Sequence, residues 1–141
     1  MKVSQQDGVT IVQMTGGSAT QSFSREFLPK IRDAIVENIG CRAIVLTGEG
    51  KFFSAGADLE WMKASKGLSL SENKRDALNF SNMLKNLEEF PVPTLALVNG
   101  SAYGGGLGII AACDFAVSFK EAKYCFSEVK LGLIPAMIGP Y

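Results

Sequence analysis

The sequence contains no histidine, and this absence excludes several common kinds of active site. Without an imidazole, the chain has no Ser-His-Asp or Cys-His nucleophilic machinery, no histidine base and none of the histidine ligands that most zinc sites use. Carboxylates, backbone dipoles or a bound cofactor remain as sources of chemistry. The 141 residues are enough for one domain with its own hydrophobic core.

An excess of charge is also missing. The chain balances 14 Lys and Arg with 14 Asp and Glu, so its formal net charge is zero. A nucleic-acid-binding protein normally carries a basic excess, and we therefore expect no nucleic-acid partner. The composition, 47% hydrophobic and 20% charged, is that of a folded chain rather than a disordered one.

Paired cysteines and long apolar runs are absent as well. Cys41, Cys113 and Cys125 are far apart and form no CxxC pair, which is typical of buried thiols in a reducing compartment. The longest apolar stretch, 104–112, stops before Asp114 and is too short to span a bilayer. The first residues lack the pattern of a secretory signal. We expect a soluble, cytoplasmic protein with no membrane partner.

Short apolar runs alternate along the chain with helical patterns. Strands are predicted over 9–14, 43–47, 94–98, 115–118 and 124–126. Helices are predicted over 58–66, after the capping-box pair Ser69 and Glu72, and over 107–113. The runs at 43–47 and 94–98 are uninterrupted, which favours strands buried on both faces. The alternation predicts one α/β domain built from crossover units.

A further amphipathic helix is predicted between the first two strands. Its apolar stripe recurs at every fourth residue: Phe23, Phe27, Ile31 and Ile35. Ser22 or Ser24 can serve as its N-cap, and Gly40 marks its end.

Two glycine-containing loops, 54–58 and 103–106, each follow a predicted buried strand and open a helix. Open parallel sheets bind ligands at the carboxyl ends of their strands, and the first amides of a helix have no partners within the helix. Two such amides converging on one point would form an oxyanion hole. A tight turn without a ligand is the alternative. The glycine run fits neither GxGxxG nor a Walker loop, which disfavours nucleotide binding.

Three sequence blocks stand in order along the chain: GKFFSAGADL at 50–59, VNGSAYGGG at 98–106 followed by Ala112-Cys113-Asp114, and YCFSEVKLGLIP at 124–135. Together they resemble the enoyl-CoA hydratase/isomerase (crotonase) superfamily, over nearly the whole chain from Asp7 onward. The segments 57–62 and 131–136 most resemble methylglutaconyl-CoA hydratase-like members. The resemblance implies a spiral of ββα units and an acyl-CoA thioester substrate. It implies no metal and no cofactor beyond CoA as part of the substrate, and it implies a homo-oligomer, a trimer or hexamer in the full-length family.

The resemblance also implies roles for particular residues. The amides of Ala57 and Gly105 match the oxyanion hole, and Glu128 matches a catalytic glutamate that can accept and return a proton. Contacts with CoA are implied for Ser22, Ala55, Gly56, Asp58 and Leu59, and an acyl pocket for Trp61, Tyr103 and Pro135. Taken without the resemblance, the sequence favours a solvated surface glutamate at position 128 and a core residue at Trp61.

The chain departs from the family pattern in three places. Gly108 stands where the family has a second catalytic glutamate. Thr15-Gly16-Gly17 replaces an Asn-Arg-Pro block that contributes to the CoA-binding surface. The C-terminal helices that close the acyl pocket and build trimers in the family do not follow Tyr141, so 1–141 is expected to be a crotonase-like domain truncated before its C-terminal helical region.

Three functions follow as hypotheses. The first is an enoyl-CoA hydratase, in which Ala57 and Gly105 hold the enolate oxygen while Glu128 activates water. The second is an enoyl-CoA isomerase, since one glutamate suffices to move a proton between carbons. The third belongs to another class: a truncated, catalytically weak chain that binds acyl-CoA or self-associates through exposed apolar surface.

Overall fold

The computed structural model of the protein describes residues 1–15, 22–24, 27–37 and 40–141. The positions Gly16 and Gly17, named above as a departure from the family pattern, lie outside the described residues. The elements in chain order are β1 (Lys2–Gln6), β2 (Val9–Met14), β3 (Ser22–Phe23), α1 (Phe27–Val36), β4 (Ala43–Gly48), β5 (Phe52–Ser54), β6 (Gly56–Ala57), α2 (Leu59–Ala64), α3 (Leu70–Glu88), β7 (Thr94–Val98), β8 (Ser101–Tyr103), α4 (Gly105–Ala111), β9 (Phe115–Ser118) and β10 (Tyr124–Cys125), with 3₁₀ turns at Ser65–Gly67 and Ser127–Leu131.

A repeated ββα unit organises these elements. In each repeat one strand enters a five-stranded sheet ordered β1-β2-β4-β7-β9, and the next strand enters a smaller sheet, either β10-β8-β5 or β3-β6. A helix then follows, as in β2-β3-α1 and β7-β8-α4. The strands β2, β4, β7 and β9 run parallel. The predicted α/β class with ββα units is confirmed.

The sheet begins with a hairpin that the sequence did not predict. Strand β1 pairs antiparallel with β2, and a two-residue turn joins them at Asp7 and Gly8, both with positive φ. Such turns favour Asp-Gly because both central residues adopt the left-handed conformation. Every residue of β1 is exposed. No apolar face marks this edge strand in the sequence, so no alternating pattern predicted it.

The core lies on one face of the five-stranded sheet. In β4 the buried residues alternate with half-buried ones, and in β7 the side chain of Leu97 is 44% exposed. The prediction that both strands are buried on both faces is therefore wrong. The helices pack on the core face through residues such as Ile31 of α1 and Leu84 of α3. Within the described ranges, no helix is long and apolar enough to cross a membrane.

The first helix starts later than its apolar stripe predicts. Phe23 belongs to β3, where it pairs with Ala57, and α1 begins at Phe27. Ser22 lies in β3 and is not the N-cap. The residues between Ser24 and Phe27 lie outside the described residues, so Ser24 as N-cap stays a prediction. The spacing of Phe23 from Phe27 matches a helical turn by coincidence, because the strand side chain and the helix both face the same core.

Asp114 joins the starts of β7 and β9. Its Oδ2 accepts hydrogen bonds from the Thr94 amide and the Thr94 hydroxyl, both at 2.8 Å. In return the Asp114 amide donates to Thr94 Oγ1 at 2.9 Å. The backbone and side-chain hydrogen bonds from Thr94 hold the pKa of the Asp114 carboxyl below its usual value. These contacts give Asp114 a structural role.

Asp114→Asn is expected to lower the free energy of unfolding by about 1 kcal/mol at neutral pH, near the lower end for bonds to a charged group because the carboxylate is exposed. Since the folded pKa lies below the unfolded one, this stabilisation is present above about pH 4 and is lost as pH falls through the folded pKa. Urea unfolding of both proteins at neutral pH and at about pH 3 measures the difference. A difference in the free energy of unfolding that is equal at both pH values would contradict a stabilising role of the Asp114 carboxylate. The control Asp33→Asn removes an exposed ion pair to Arg32 and should show a smaller change.

Candidate active site

Two loops at the carboxyl ends of β4 and β7 are tied together by Asn99. The Gly48 amide donates to Asn99 Oδ1 at 2.8 Å, and Asn99 Nδ2 donates to the Gly50 carbonyl at 3.0 Å. The loops also approach closely at Gly100, where a Cβ would lie 2.2 Å from the Lys51 carbonyl oxygen. Sequence reasoning missed this role of Asn99, although the Asn-Gly pair after a buried strand was its signal.

Glycine is required at two positions of these loops. Gly56 has φ +88°, and a Cβ there would lie 3.2 Å from the Tyr103 carbonyl oxygen. Gly104 has φ +49°, and a Cβ there would lie 2.9 Å from Glu128 Oε1. Both backbones adopt conformations that side chains disfavour. The missing side chains let the two loops and Glu128 meet at one place.

Backbone amides of both loops are available at this place. Asp58 N donates to the Phe23 carbonyl at 2.8 Å, and amides alternate in direction along a strand, so the Ala57 amide points away from β3. Gly105 is the first residue of α4, and a helix offers its first amides no partner of its own. Ala57 is exposed and Gly105 is half-buried. Both amides can therefore serve an external acceptor.

Glu128 lies in the 3₁₀ turn that follows β10. The side chain is half-buried, and its Oε2 atom is buried with no hydrogen-bond partner among the described residues. The strand before it is fixed beside the glycine loop, since the Gly104 amide donates to the Cys125 carbonyl at 3.0 Å. A buried carboxylate oxygen without a partner costs free energy, which is typical of a functional group rather than a structural one.

Two neighbouring spaces meet at Ala57 and Glu128. The first, which we call the inner cavity, has a volume of about 60 Å³ and a mostly apolar wall: Phe23, Ala57, Trp61, Phe80, Gly105, Glu128 and residues 134–138. The second, which we call the outer groove, has a volume of about 360 Å³ and is lined by Ser22, Ala55, Ala57, Leu59, Met62, Gly104, Ser127, Glu128, Lys130 and Leu131. A molecule lying across the junction would place one end in each space.

The predicted site residues divide between these spaces. Glu128, Ala57, Gly105, Trp61 and Pro135 line the inner cavity. Ser22, Ala55 and Leu59 line the outer groove, on the side where CoA contacts were predicted.

Three predicted site residues have other positions. Asp58 caps α2, and its carboxylate accepts from the Glu60 and Trp61 amides at 2.9 and 3.0 Å. The CoA contact predicted for its backbone stays a prediction. Gly56 is buried, and its amide donates to Ser54 Oγ at 3.1 Å. Tyr103 lies outside the wall of the inner cavity, with its ring centroid 6.3 Å from that of Phe52. The acyl-pocket role of Tyr103 therefore stays a prediction.

Gly108 lies against Ile138. A Cβ at Gly108 would lie 2.5 Å from Ile138 Cγ2 and 3.0 Å from Leu84 Cδ1. Ile138 is 4% exposed and also lines the inner cavity. The position where the family pattern has a second glutamate is thus filled by a neighbouring apolar side chain, and among the described residues Glu128 is the one carboxylate that lines the inner cavity.

Cys113 offers no competing nucleophile, and the part of the chain that the structure describes contains no cluster of metal ligands. Burial raises the pKa of the Cys113 thiol to about 12, which agrees with its interpretation as an inert buried thiol. The described residues include no group of three or more Cys, Asp or Glu that could hold a metal ion.

Comparisons with known proteins agree with this geometry. A family model described as enoyl-CoA hydratase/isomerase matches residues 4–140. A Thermus thermophilus protein named as an enoyl-CoA hydratase is 42% identical over 107 residues, which cover 76% of this chain and 42% of that protein. The 4-chlorobenzoyl coenzyme A dehalogenase-2 of an Arthrobacter species is 34% identical over 139 residues, covering 94% of this chain and 50% of the enzyme.

A solved structure shows the same fold. A Legionella pneumophila chain described as an enoyl CoA hydratase/isomerase (crotonase) matches with a TM-score of 0.95 and 43% identity, over 99% of this chain and 55% of that chain. The chain thus spans about half the length of the relatives it matches. On the family model and these relatives, the chain belongs to the enoyl-CoA hydratase/isomerase family, the crotonase superfamily.

Proposed function

We propose that the site hydrates the double bond of an enoyl-CoA thioester. The observation that carries the proposal is the unpaired, buried Oε2 of Glu128 at the junction of the inner cavity and the outer groove. The acyl group would enter the inner cavity, whose wall is apolar, and the CoA portion would lie in the outer groove. The thioester carbonyl would then lie between the amides of Ala57 and Gly105.

The reaction follows from these positions. Glu128 removes a proton from water as the water oxygen bonds to the β-carbon. The π electrons move onto the thioester, and the enolate oxygen accepts hydrogen bonds from the Ala57 and Gly105 amides. One such donor is typically worth about 10²–10³ in rate. Glu128 then returns the proton to the α-carbon, which yields a 3-hydroxyacyl-CoA and restores the carboxylate.

An isotope experiment tests hydration directly. The protein is incubated with crotonyl-CoA in ¹⁸O-labelled water, and the product is examined by mass spectrometry. Incorporation of one labelled oxygen, together with loss of the conjugated-enoyl absorbance, is the expected result. The same incubation is repeated in heavy water. A product that takes up deuterium there, but no labelled oxygen in the first experiment, would overturn hydration.

Isomerisation is the second candidate, and the packing of Ile138 against Gly108 favours it. Because Glu128 is the one carboxylate among the described residues of the inner cavity, we expect it both to take the proton from one carbon and to return it to the other. A double-bond shift needs no more than this. A 3-enoyl-CoA substrate converted to its conjugated isomer without solvent oxygen would identify it.

The identity of the acyl group on the thioester is a separate prediction. The resemblance to methylglutaconyl-CoA hydratase-like members predicts methylglutaconyl-CoA as substrate. Comparing kcat/KM for this thioester and for crotonyl-CoA tests that prediction, since one changed group in a pocket typically alters the ratio by about 10–200-fold.

We also propose that the chain self-associates through a surface that we call the sheet-face patch: Leu97, Phe115, Val117 and Phe119. These side chains are between 44% and 63% exposed, and β9 is an edge strand of the sheet. Exposed apolar side chains beside an open strand edge favour pairing with another copy.

Sedimentation velocity is expected to show a dimer or larger species of the unmodified protein. The double variant Phe115→Ser and Val117→Thr should shift it toward monomer. Val3→Ser, on the opposite edge strand and 47% exposed, is the matched control and should leave the assembly unchanged. A monomer that binds no hydrophobic dye would contradict the proposal.

A further inference from the structure

Trp61 separates the inner cavity from a third space. This space, which we call the side cleft, has a volume of about 330 Å³ and a wall made largely of polar side chains: Pro29, Arg32, Trp61, Asp76, Asn79, Asn82, Met83 and Asn86. Trp61 also lines the inner cavity. The indole therefore stands between a small apolar space beside Glu128 and a larger polar one.

The position of the indole is fixed from two sides. Its Nε1 donates to Asp76 Oδ2 at 3.4 Å, and Asp76, on α3, is 8% exposed. The Trp61 amide donates to the Asp58 carboxylate at 3.0 Å, at the first turn of α2. An aromatic ring held at both its backbone and its polar atom makes a rigid wall.

The volumes indicate what this wall admits. An apolar cavity of about 150 Å³ can hold benzene, whereas the inner cavity has about 60 Å³. A short apolar acyl chain fits such a space, and a longer or polar-ended chain would have to pass the indole. The side cleft beyond it offers amide groups and the Arg32 guanidinium to a polar end group.

We propose that Trp61 is the specificity-determining residue of the site: it limits the acyl group to a short apolar chain and closes the side cleft to polar-ended acyl groups. This inference rests on the proposed acyl-CoA site. It places crotonyl-CoA above methylglutaconyl-CoA, whose acyl group ends in a carboxylate. Asp76 acts through Trp61 as a positioning residue.

Binding of unreactive thioesters tests the proposal without turnover. Free CoA, butyryl-CoA, octanoyl-CoA and glutaryl-CoA are titrated by calorimetry into the unmodified protein, Trp61→Ala and Trp61→Phe. The unmodified protein and Trp61→Phe should bind butyryl-CoA at least about tenfold more tightly than glutaryl-CoA. In Trp61→Ala that ratio should fall by about tenfold, because the two spaces join. Glu60→Ala, on the same helix and exposed, is the control and should keep the ratio.

Fluorescence supplies a second readout because Trp61 is the one tryptophan of the chain. Butyryl-CoA should change the emission of the unmodified protein, and free CoA should not. An unchanged emission with bound butyryl-CoA, or equal thioester ratios in Trp61→Ala and the unmodified protein, would overturn the role of Trp61 and leave the acyl-CoA site standing. Failure of every thioester and of CoA to bind would overturn the proposed function and, with it, this inference.

Discussion

Glu128→Gln is expected to reduce the conversion of an enoyl-CoA by about 10²–10⁴-fold, the usual contribution of a general acid–base group. The amide has the shape of the carboxylate but cannot take a proton from water. The thioester can still bind, because the Ala57 and Gly105 amides are unchanged and glutamine keeps the shape of the side chain that Glu128 contributes to the outer groove. The loss should therefore appear in kcat rather than in the dissociation constant of butyryl-CoA. The decrease of conjugated-enoyl absorbance measures it.

The same variant should not lose stability. Oε2 of Glu128 is buried and has no hydrogen-bond partner among the described residues, so the substitution removes no hydrogen bond of that atom. We expect the free energy of unfolding to stay equal or to rise. A structural glutamate would behave in the opposite way, with a lower free energy of unfolding.

A matched control distinguishes the loss of Glu128 at the site from the effect of removing one negative charge from the chain. Glu121→Gln makes the same chemical change at an exposed position after β9 and should leave the rate unchanged. Glu128→Gln retaining the rate of the Glu121→Gln control would contradict the acid–base role. Unmodified protein that binds butyryl-CoA but converts no enoyl-CoA would contradict the hydration proposal for this chain.

The sequence predicted the main sheet better than the small ones. The runs at 43–47 and 94–98 are long enough to show as strands, and β4 and β7 confirm them. By contrast, β5, β6 and β8 have two or three residues each, too few for any periodicity to appear. Phe23 was misassigned for the same reason, since β3 also has two residues.

Burial was the harder property to predict. An unbroken apolar run indicates a strand but does not tell how many faces are covered. Leu97 and Phe115 are exposed on the second face of the sheet, where a polar residue would have revealed that exposure in the sequence. Their apolar character is instead consistent with a surface that associates.

Only part of the candidate site could be predicted from the sequence. The glycine loops and Glu128 stand in recognisable blocks, and the structure brings Ala57, Gly105 and Glu128 together at one cavity. The contacts that shape the cavity join residues far apart in sequence, such as Trp61 with Asp76, and no local pattern records them. In the same way, the space available to a side chain at position 108 depends on Ile138, thirty positions later in the chain.

Gly108→Glu is expected to lower the free energy of unfolding by at least about 3 kcal/mol. Its Cβ would lie 2.5 Å from Ile138 Cγ2, and its carboxylate would enter a buried apolar environment. Overpacking alone typically costs about 1–3 kcal/mol, and an unpaired charge adds to this. Urea unfolding of Gly108→Ala and Gly108→Glu separates the two costs, because the alanine introduces the Cβ without the charge.

Combining Gly108→Glu with Ile138→Ala should recover part of that loss. The smaller side chain makes room for the new glutamate, so the effects of the two changes on the free energy of unfolding should be non-additive by at least about 1 kcal/mol.

The space vacated by Ile138 borders the inner cavity, where the new carboxylate would face the same acyl group as Glu128. A second proton donor there should raise solvent-oxygen incorporation relative to double-bond migration. Strictly additive free energies would show that Ile138 does not set the residue at position 108, and an unchanged product ratio would show that one glutamate already performs the whole proton transfer.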